Sequence, residues 1–199
     1  RIRRIRSDGI IETVAGTGEP CLTSINGCGE GGQAINATFR HPLDVAVAPD
    51  GSIYVAEERY VIRRIRPDGI IENFAGTGVP CVTRSGADPT CGDGGLAMSA
   101  TFGKAHVVTY YIQDIDVAPD GTVYFASNNR IRKVDNAGQI SSLYVSQPQS
   151  GIAEPETVHV IDNDELYASF NGSAGSVQYL FRWTTVDGFV QIPLQSGEV

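Results

Sequence analysis

Residues 44–78 read D-V-A-V-A-P-D-G-S-I-Y-V-A-E-E-R-Y-V-I-R-R-I-R-P-D-G-I-I-E-N-F-A-G-T-G. Short runs rich in Val, Ile, Tyr and Phe alternate here with the turn triplets Pro49-Asp50-Gly51 and Pro67-Asp68-Gly69. Proline presets the backbone for the first turn position, aspartate bonds its local amides, and glycine takes the left-handed position. Four antiparallel strands are therefore expected: 43–48, 52–57, 61–66 and 70–75. The run 43–48 is small and apolar, as a strand buried on both faces would be.

The same stretch recurs on both sides of itself. Ile2 to Gly18 matches Ile62 to Gly78 almost residue for residue, and Asp116 to Ala126 repeats the front half. Arg130 to Gly138 echoes the middle. Corresponding points step by 60 residues (Ile2 to Ile62), then 70 (Tyr54 to Tyr124), then 43 (Tyr124 to Tyr167). A unit of about 40 residues with four strands fits a β-propeller blade. Such a sheet is apolar on both faces and must stack on its neighbours.

The expected architecture is all-β. It has about three and a half four-stranded blades, an excerpt of a larger ring: 1–18 (outer strands only), 39–78, 101–146 and 152–195. Two inserts interrupt the rhythm, at 18–37 and 78–100. Their ends, C-G-E-G-G-Q-A-I-N-A-T-F (28–39) and C-G-D-G-G-L-A-M-S-A-T-F (91–102), are copies of one another. The glycines lack a following lysine and precede no helix, so they make no phosphate cradle. They read as flexible linkers between blades.

Of 199 residues, 15 are Lys or Arg and 23 are Asp or Glu, a formal charge of −8. That balance disfavours a phosphate-backbone partner. No apolar run is long enough to span a bilayer. The four cysteines sit at matching places in the two inserts, and pairing Cys21 with Cys28 and Cys81 with Cys91 implies an oxidising compartment. Free thiols are the alternative. Asn36-Ala37-Thr38 and Asn171-Gly172-Ser173 are glycosylation acceptors, consistent with an extracellular or cell-surface location.

The segments P-L-D-V-A-V-A-P-D-G-S-I-Y-V-A-E (42–57) and V-I-R-R-I-R-P-D-G-I-I-E-N-F-A-G-T-G (61–78) resemble the NHL-repeat family of β-propellers. The ending G-D-G-G-L-A (92–97) is similar to inserts of secreted and teneurin-like members and of proteins with YD-type repeats. The resemblance implies a propeller whose function is set by its loops, because a fold of this kind serves many roles.

Chemistry-bearing residues are sparse. His41, His106 and His159 are the three histidines. Related propeller lyases hold zinc with one histidine from each of several blades. His41 and His159 are candidate ligands of this kind, although Lys104, not His106, aligns with His41. Asp44 and Asp116 begin inner strands and could line a central channel, with calcium as a possible ligand. Asp50, Asp68 and Asp120 are explained by their turns. In V-I-R-R-I-R, Arg63 shares a face with Ile65 and Arg64 with Ile62, so the arginines are expected to pair with Glu57, Glu58 or Glu72 on neighbouring strands.

The resulting expectation is a non-catalytic extracellular scaffold that binds protein or glycan through rim loops and can self-associate through blade edges. The competing expectation is a metal-dependent propeller lyase, lactonase or hydrolase with a site in the central channel.

Overall fold

The computed structural model describes residues 1–22, 27–58, 60–81, 90–104, 112–127, 129–145, 152–172 and 178–193. Sixteen strands are present among them. The hairpin β1 (Ile2–Ile5) and β2 (Ile11–Ala15) is a two-stranded sheet. Three antiparallel four-stranded meanders follow. The first is β3 (Pro42–Val47), β4 (Ile53–Glu57), β5 (Val61–Ile65) and β6 (Ile71–Ala75). A short parallel pair, β7 (Pro80–Cys81) and β8 (Phe102–Lys104), lies between the first and second meanders in sequence. The second meander is β9 (Ile112–Val117), β10 (Val123–Ser127), β11 (Arg130–Val134) and β12 (Ile140–Val145). The third is β13 (Ile152–Val160), β14 (Glu165–Gly172), β15 (Gln178–Thr184) and β16 (Gly188–Ile192). Strand order equals chain order in each sheet, which is the up-and-down topology of a propeller blade.

The turns form as their residues require. In the first meander the Gly51 N–H donates to Ala48 O (2.9 Å) and Asp50 Oδ1 accepts from the Ser52 N–H (2.8 Å). Gly51 stands at φ +86°, a position that disfavours any side chain.

Three apolar layers hold the sheets face to face. Val55, Ile65 and Ile71 pack with Ile2, Ala15 and Phe39 on the side of the first hairpin. Tyr54, Ala56 and Ile62 meet Phe102, Ile115 and Phe125 between the first and second meanders. Tyr124 and Ile131 meet Val158, Leu166, Ala168 and Phe170 between the second and third. Alternate residues of β4 and β10 thus face opposite neighbours, so both faces of these sheets are buried, as in stacked blades.

The inner strand β3 departs from expectation. Leu43, Val45 and Val47 are 43–64% exposed, so this run is not buried on both faces. Ala46 is the residue that enters the layer toward the second meander, and the hairpin β1–β2 brings only two strands to the other side. His106 lies outside the described residues.

Candidate functional site: the inserts and the inner strands

Each insert leaves the outer strand of one sheet and crosses to the next. It does not cross as a loose linker. Gly31 N–H donates to Ile71 O (2.8 Å), Ile71 N–H donates to Gly32 O (3.0 Å), and Ala34 N–H donates to Gly69 O (2.7 Å). The second insert repeats this on β12: Gly94 N–H to Ile140 O (2.8 Å), Ile140 N–H to Gly95 O (3.0 Å) and Ala97 N–H to Gly138 O (2.9 Å). The insert therefore adds a short antiparallel bridge to the outer edge strand of the following sheet, at Gln33↔Ile70 and Leu96↔Gln139. Covering an edge in this way removes a template for unwanted pairing.

The glycines are required, and the expectation of flexible linkers is corrected. A Cβ on Gly29 would lie 2.9 Å from Ala37 Cα, and one on Gly92 would lie 2.8 Å from Ala100 Cα. Both residues have φ above +90° or at it (+93° and +90°). The tight return folds a single 3₁₀ turn (Ala34–Asn36, Ala97–Ser99) against the chain, with Ala34, Ala37, Ala97 and Ala100 buried.

A buried arginine locks each insert in place. The Arg63 guanidinium donates to Thr38 O (3.0 Å), Cys28 O (3.2 Å) and Glu57 Oε1 (3.5 Å), and stacks 5.4 Å from the Phe39 ring centroid. Its Nε is 3.3 Å from Glu30 Oε2, an ion pair without hydrogen-bond alignment. Burial pushes the Glu30 carboxyl up from its ordinary range, against the pull of Arg63. Arg132 copies the arrangement on Thr101 O (3.1 Å), Cys91 O (3.1 Å) and the Phe102 ring (5.3 Å). Here the shorter acid, Asp93, is in line: Oδ1 accepts from Arg132 Nη2 (2.7 Å) and Nε (3.0 Å), while Oδ2 accepts from Arg130 (3.1 Å) and Ser142 (2.5 Å). Disulfides join Cys21 to Cys28 and Cys81 to Cys91, each with Cα atoms 5.6 Å apart. The arginines thus hold the carbonyl of the second cysteine of each pair.

The role of these arginines was only half readable in the sequence. Alternation put Arg63 and Arg64 on opposite faces, and Arg64 lies 3.7 Å from Glu72 at the surface. That Arg63 reaches back 35 residues to the Cys28 carbonyl carried no local signal. A hint lay in the order of the repeats: C-G-E-G-G (28–32) and C-G-D-G-G (91–95) are each followed by a strand rich in basic residues, at 63–66 and 130–133.

At the inner strands, carboxylates bridge sheets. Asp44 Oδ2 on β3 accepts from the Ile115 N–H of β9 (2.9 Å). Asp114 and Asp116 on β9 accept from Val158 N–H (2.7 Å) and Val160 N–H (2.8 Å) of β13. Register shows that the counterpart of Asp44 is Asp114, not Asp116: Asp44 pairs with Ala56 and Asp114 with Ala126, whereas Asp116 pairs with Tyr124 as Ala46 does with Tyr54. Burial and a hydrogen bond with Asp44 push the Asp114 carboxyl up to about 7. Asp114 thus stands beside a second carboxylate at the junction of the first two sheets, where a like charge favours its protonated form.

The histidines stand apart. His41 Nδ1 contacts Glu58 Oε2 and its side chain is largely exposed, with φ at +44°. His159 Nδ1 lies 3.3 Å from Asp116 Oδ2 on the opposite flank of the second sheet and is equally exposed. Among the described residues, no group of three or more His, Cys, Asp or Glu side chains is arranged to hold a metal ion. Asn36 ends an exposed 3₁₀ turn, and the Asn171 side chain donates to Glu156.

Stacked four-stranded meanders, with the repeated R-R-I-R and D-G-I-I-E runs, define an NHL-type β-propeller, and the chain is a member of the NHL-repeat β-propeller family. Residues 4–79 match the Teneurin NHL domain family. Teneurin-m of Drosophila melanogaster is 30% identical over 173 residues, which are 83% of this chain and 6% of that protein. Mouse (Mus musculus) Teneurin-3 is 30% identical over 131 residues, 65% of this chain and 4% of that protein. The chain therefore spans only about one-twentieth of the length of the relatives it matches. Among solved structures, the Dos1 propeller is similar with 12% identity and a TM-score of 0.44, covering 83% of this chain and 39% of that one.

Proposed function

We infer that the chain is part of a non-catalytic, cell-surface or extracellular interaction scaffold that contacts a partner protein through its two disulfide-closed inserts. The observation that carries this reading is the presentation of apolar side chains on anchored inserts. Ile35 on the first, and Leu96 and Met98 on the second, are 46–58% exposed, while the backbone beside them is tied to the neighbouring sheet through Ala34, Leu96 and Ala97. Pre-fixed apolar contacts lose little conformational freedom on binding, which favours affinity. A cleft of about 380 Å³ beside the first insert, lined in part by Glu19, Arg40 and His41, adds polar groups at the margin.

The paired cysteines, the acceptor Asn36 on its exposed turn, and the teneurin relatives support an oxidising, extracellular setting. Among the described residues, no helix is long and apolar enough to cross a membrane.

The test is binding of fluorescent chain to cells that display candidate adhesion proteins, and to a glycan array. Changing Leu96 and Met98 to Ser should leave the thermal midpoint within a few degrees and reduce cell binding at least tenfold. Unchanged binding by this variant would remove the inserts from the contact surface. A stoichiometric metal in the purified chain, lost in a variant with His41→Ala and His159→Ala, would support a propeller enzyme instead.

A further inference from the structure

The tips of the two inserts fold alike but differ in what they present. Residues 33–39 read Q-A-I-N-A-T-F and residues 96–102 read L-A-M-S-A-T-F. Each makes one 3₁₀ turn, closed by Asn36 N–H donating to Gln33 O (3.0 Å) and by Ser99 N–H donating to Leu96 O (2.9 Å). The flanking backbone matches as well: Gln33 and Leu96 stand at φ −67° and −71°, Ala37 and Ala100 at −73° and −74°. Ala34, Ala37, Ala97 and Ala100 are buried, so the outward positions are 33, 35 and 36 in the first insert and 96, 98 and 99 in the second.

Those positions hold Gln33 against Leu96, Ile35 against Met98 and Asn36 against Ser99. The last difference completes the acceptor triplet Asn36-Ala37-Thr38, which the second insert lacks only for want of Asn. Asn36 is exposed, so a sugar on its side chain displaces nothing in the fold. The other acceptor, Asn171, is half-buried in β14 between two partner strands, and its amide donates to Glu156. Three residues complete a 3₁₀ turn, so residue 36 returns over residue 33 and stands next to Ile35. A bulky, hydrated chain attached there covers the apolar tip.

We propose that Asn36 carries an N-linked glycan that covers the tip of the first insert and leaves the second, with Leu96 and Met98, as the insert whose apolar tip is open. In the transfer, Asn36 Nδ2 bonds to the anomeric carbon of an oligosaccharide held on a lipid pyrophosphate. The carbon–oxygen bond to the pyrophosphate breaks, its electron pair leaves with the lipid pyrophosphate, and one amide proton passes to a base of the transferase. The partner contact inferred above then falls to the second insert, and this last step alone rests on that reading.

The test material is the chain secreted from cultured animal cells. Peptide N-glycosidase in heavy-oxygen water should convert Asn36 to labelled Asp in most molecules, with the label located by fragmentation; an unmodified Asn36 would overturn the proposal. Carbene footprinting then reads the tips without any partner. Labelling of Ile35 should rise at least about threefold in Asn36→Gln and in Thr38→Ala, which keeps the Thr38 backbone bonds to Arg63 and Cys28, while labelling of Met98 stays constant. Equal Ile35 labelling with and without the sugar would overturn the proposal. Ser99→Asn recreates the triplet ahead of Ala100 and Thr101, and its glycosylated form should lose Met98 labelling by a similar factor; undiminished labelling would overturn the covering geometry. In the cell-binding assay Ser99→Asn should lose at least about tenfold and Asn36→Gln nothing. A loss in Asn36→Gln would overturn the proposal, because the sugar would itself be a contact. Unchanged cell binding by the Leu96→Ser, Met98→Ser variant refutes the insert contact instead, and leaves the occupancy and footprinting results standing.

Discussion

Replacing Arg63 by Ala tests whether the inserts are held by buried charge or merely tethered by their disulfides. The side chain is 1% exposed and serves two backbone carbonyls, two carboxylates and an aromatic ring. Its removal leaves the Thr38 carbonyl without its donor, at about 1–3 kcal/mol if the group finds no replacement, while the Cys28 carbonyl keeps only the Thr38 N–H at 3.1 Å. Glu57 retains the Arg40 N–H at 2.7 Å but loses its cation, and the ring loses a contact of about 1 kcal/mol. These losses overlap, and cutting one partner from a buried ion pair generally costs about 3–5 kcal/mol. The matched control is Arg64→Ala. Arg64 lies next in sequence, is 31% exposed and meets Glu72 only at 3.7 Å, so about 0–1 kcal/mol is expected. Urea unfolding of both variants, at one pH and salt concentration, gives the comparison. In thermal terms Arg63→Ala should lower the midpoint by roughly 6–20 °C for a chain of this size. Arg63→Lys should recover only part of the loss, because an ammonium cannot span both carbonyls and the ring. If the two alanine variants fall within about 1 kcal/mol of each other, the arginine clasp is not what holds the insert.

Other outcomes follow from the same geometry. Asp114 has its carboxyl raised to about 7, so the native chain binds a proton more tightly than the unfolded chain does. Its contribution to stability is therefore full below about pH 4, falls as pH rises toward 7, and is flat above that. Asp114→Asn should remove this dependence and match or exceed the parent above pH 7, because an amide can accept from Val158 and donate to Asp44; a steeper loss above pH 7 would contradict the raised Asp114 carboxyl. Gly92→Ala, at φ +90° with Ala100 Cα 2.8 Å from the added Cβ, should destabilise by about 2 kcal/mol or more. Gly94→Ala, at φ +85° with open space, should cost only about 1 kcal/mol, and equal midpoints in urea would refute the steric argument. Asp93→Asn should be more damaging than Glu30→Gln, since Asp93 holds Arg130, Arg132 and Ser142 in line while Glu30 balances its attraction to Arg63 against its own burial.

The repeat and its turns were legible because they are local. Each P-D-G triplet encodes its own geometry, and alternation in V-I-R-R-I-R assigns faces without knowledge of the neighbours. What lay beyond reading was the traffic between sheets. The parallel pairing of Pro80–Cys81 with Phe102–Lys104, and the bridges from Gln33 to Ile70 and Leu96 to Gln139, join segments tens of residues apart. Periodicity has no term for them. The inner acids were legible by the repeat step: Asp44 and Asp116 each open a D-V-A triplet, but the 70-residue step from Tyr54 to Tyr124 carries Asp44 to Asp114, and register across the sheet agrees. The gap between sheets does explain the glycines: a G-E-G-G run with no lysine or helix after it looks flexible until the alanine it packs against is known.

The two kinds of inter-sheet fastening obey different electrostatic rules, and the difference bears on how the assembly responds to its surroundings. At the inner strands the fasteners are carboxylates bonded to backbone amides, with no arginine among their partners, and neighbouring acids compete for protons. At the outer edge they are arginines bonded to carbonyls and acids, which stay charged at any physiological pH. A fall in pH therefore relieves repulsion at the junction of Asp44 and Asp114 while the Arg63 and Arg132 clasps keep their charge. The arginines that hold the inserts are then less sensitive to pH than the junction of Asp44 and Asp114. Reversing that order, so that the insert amides exchange faster at pH 5 than at pH 8 relative to those of β9 after correction for intrinsic rates, would show that the outer clasps and not the inner acids are the labile joints.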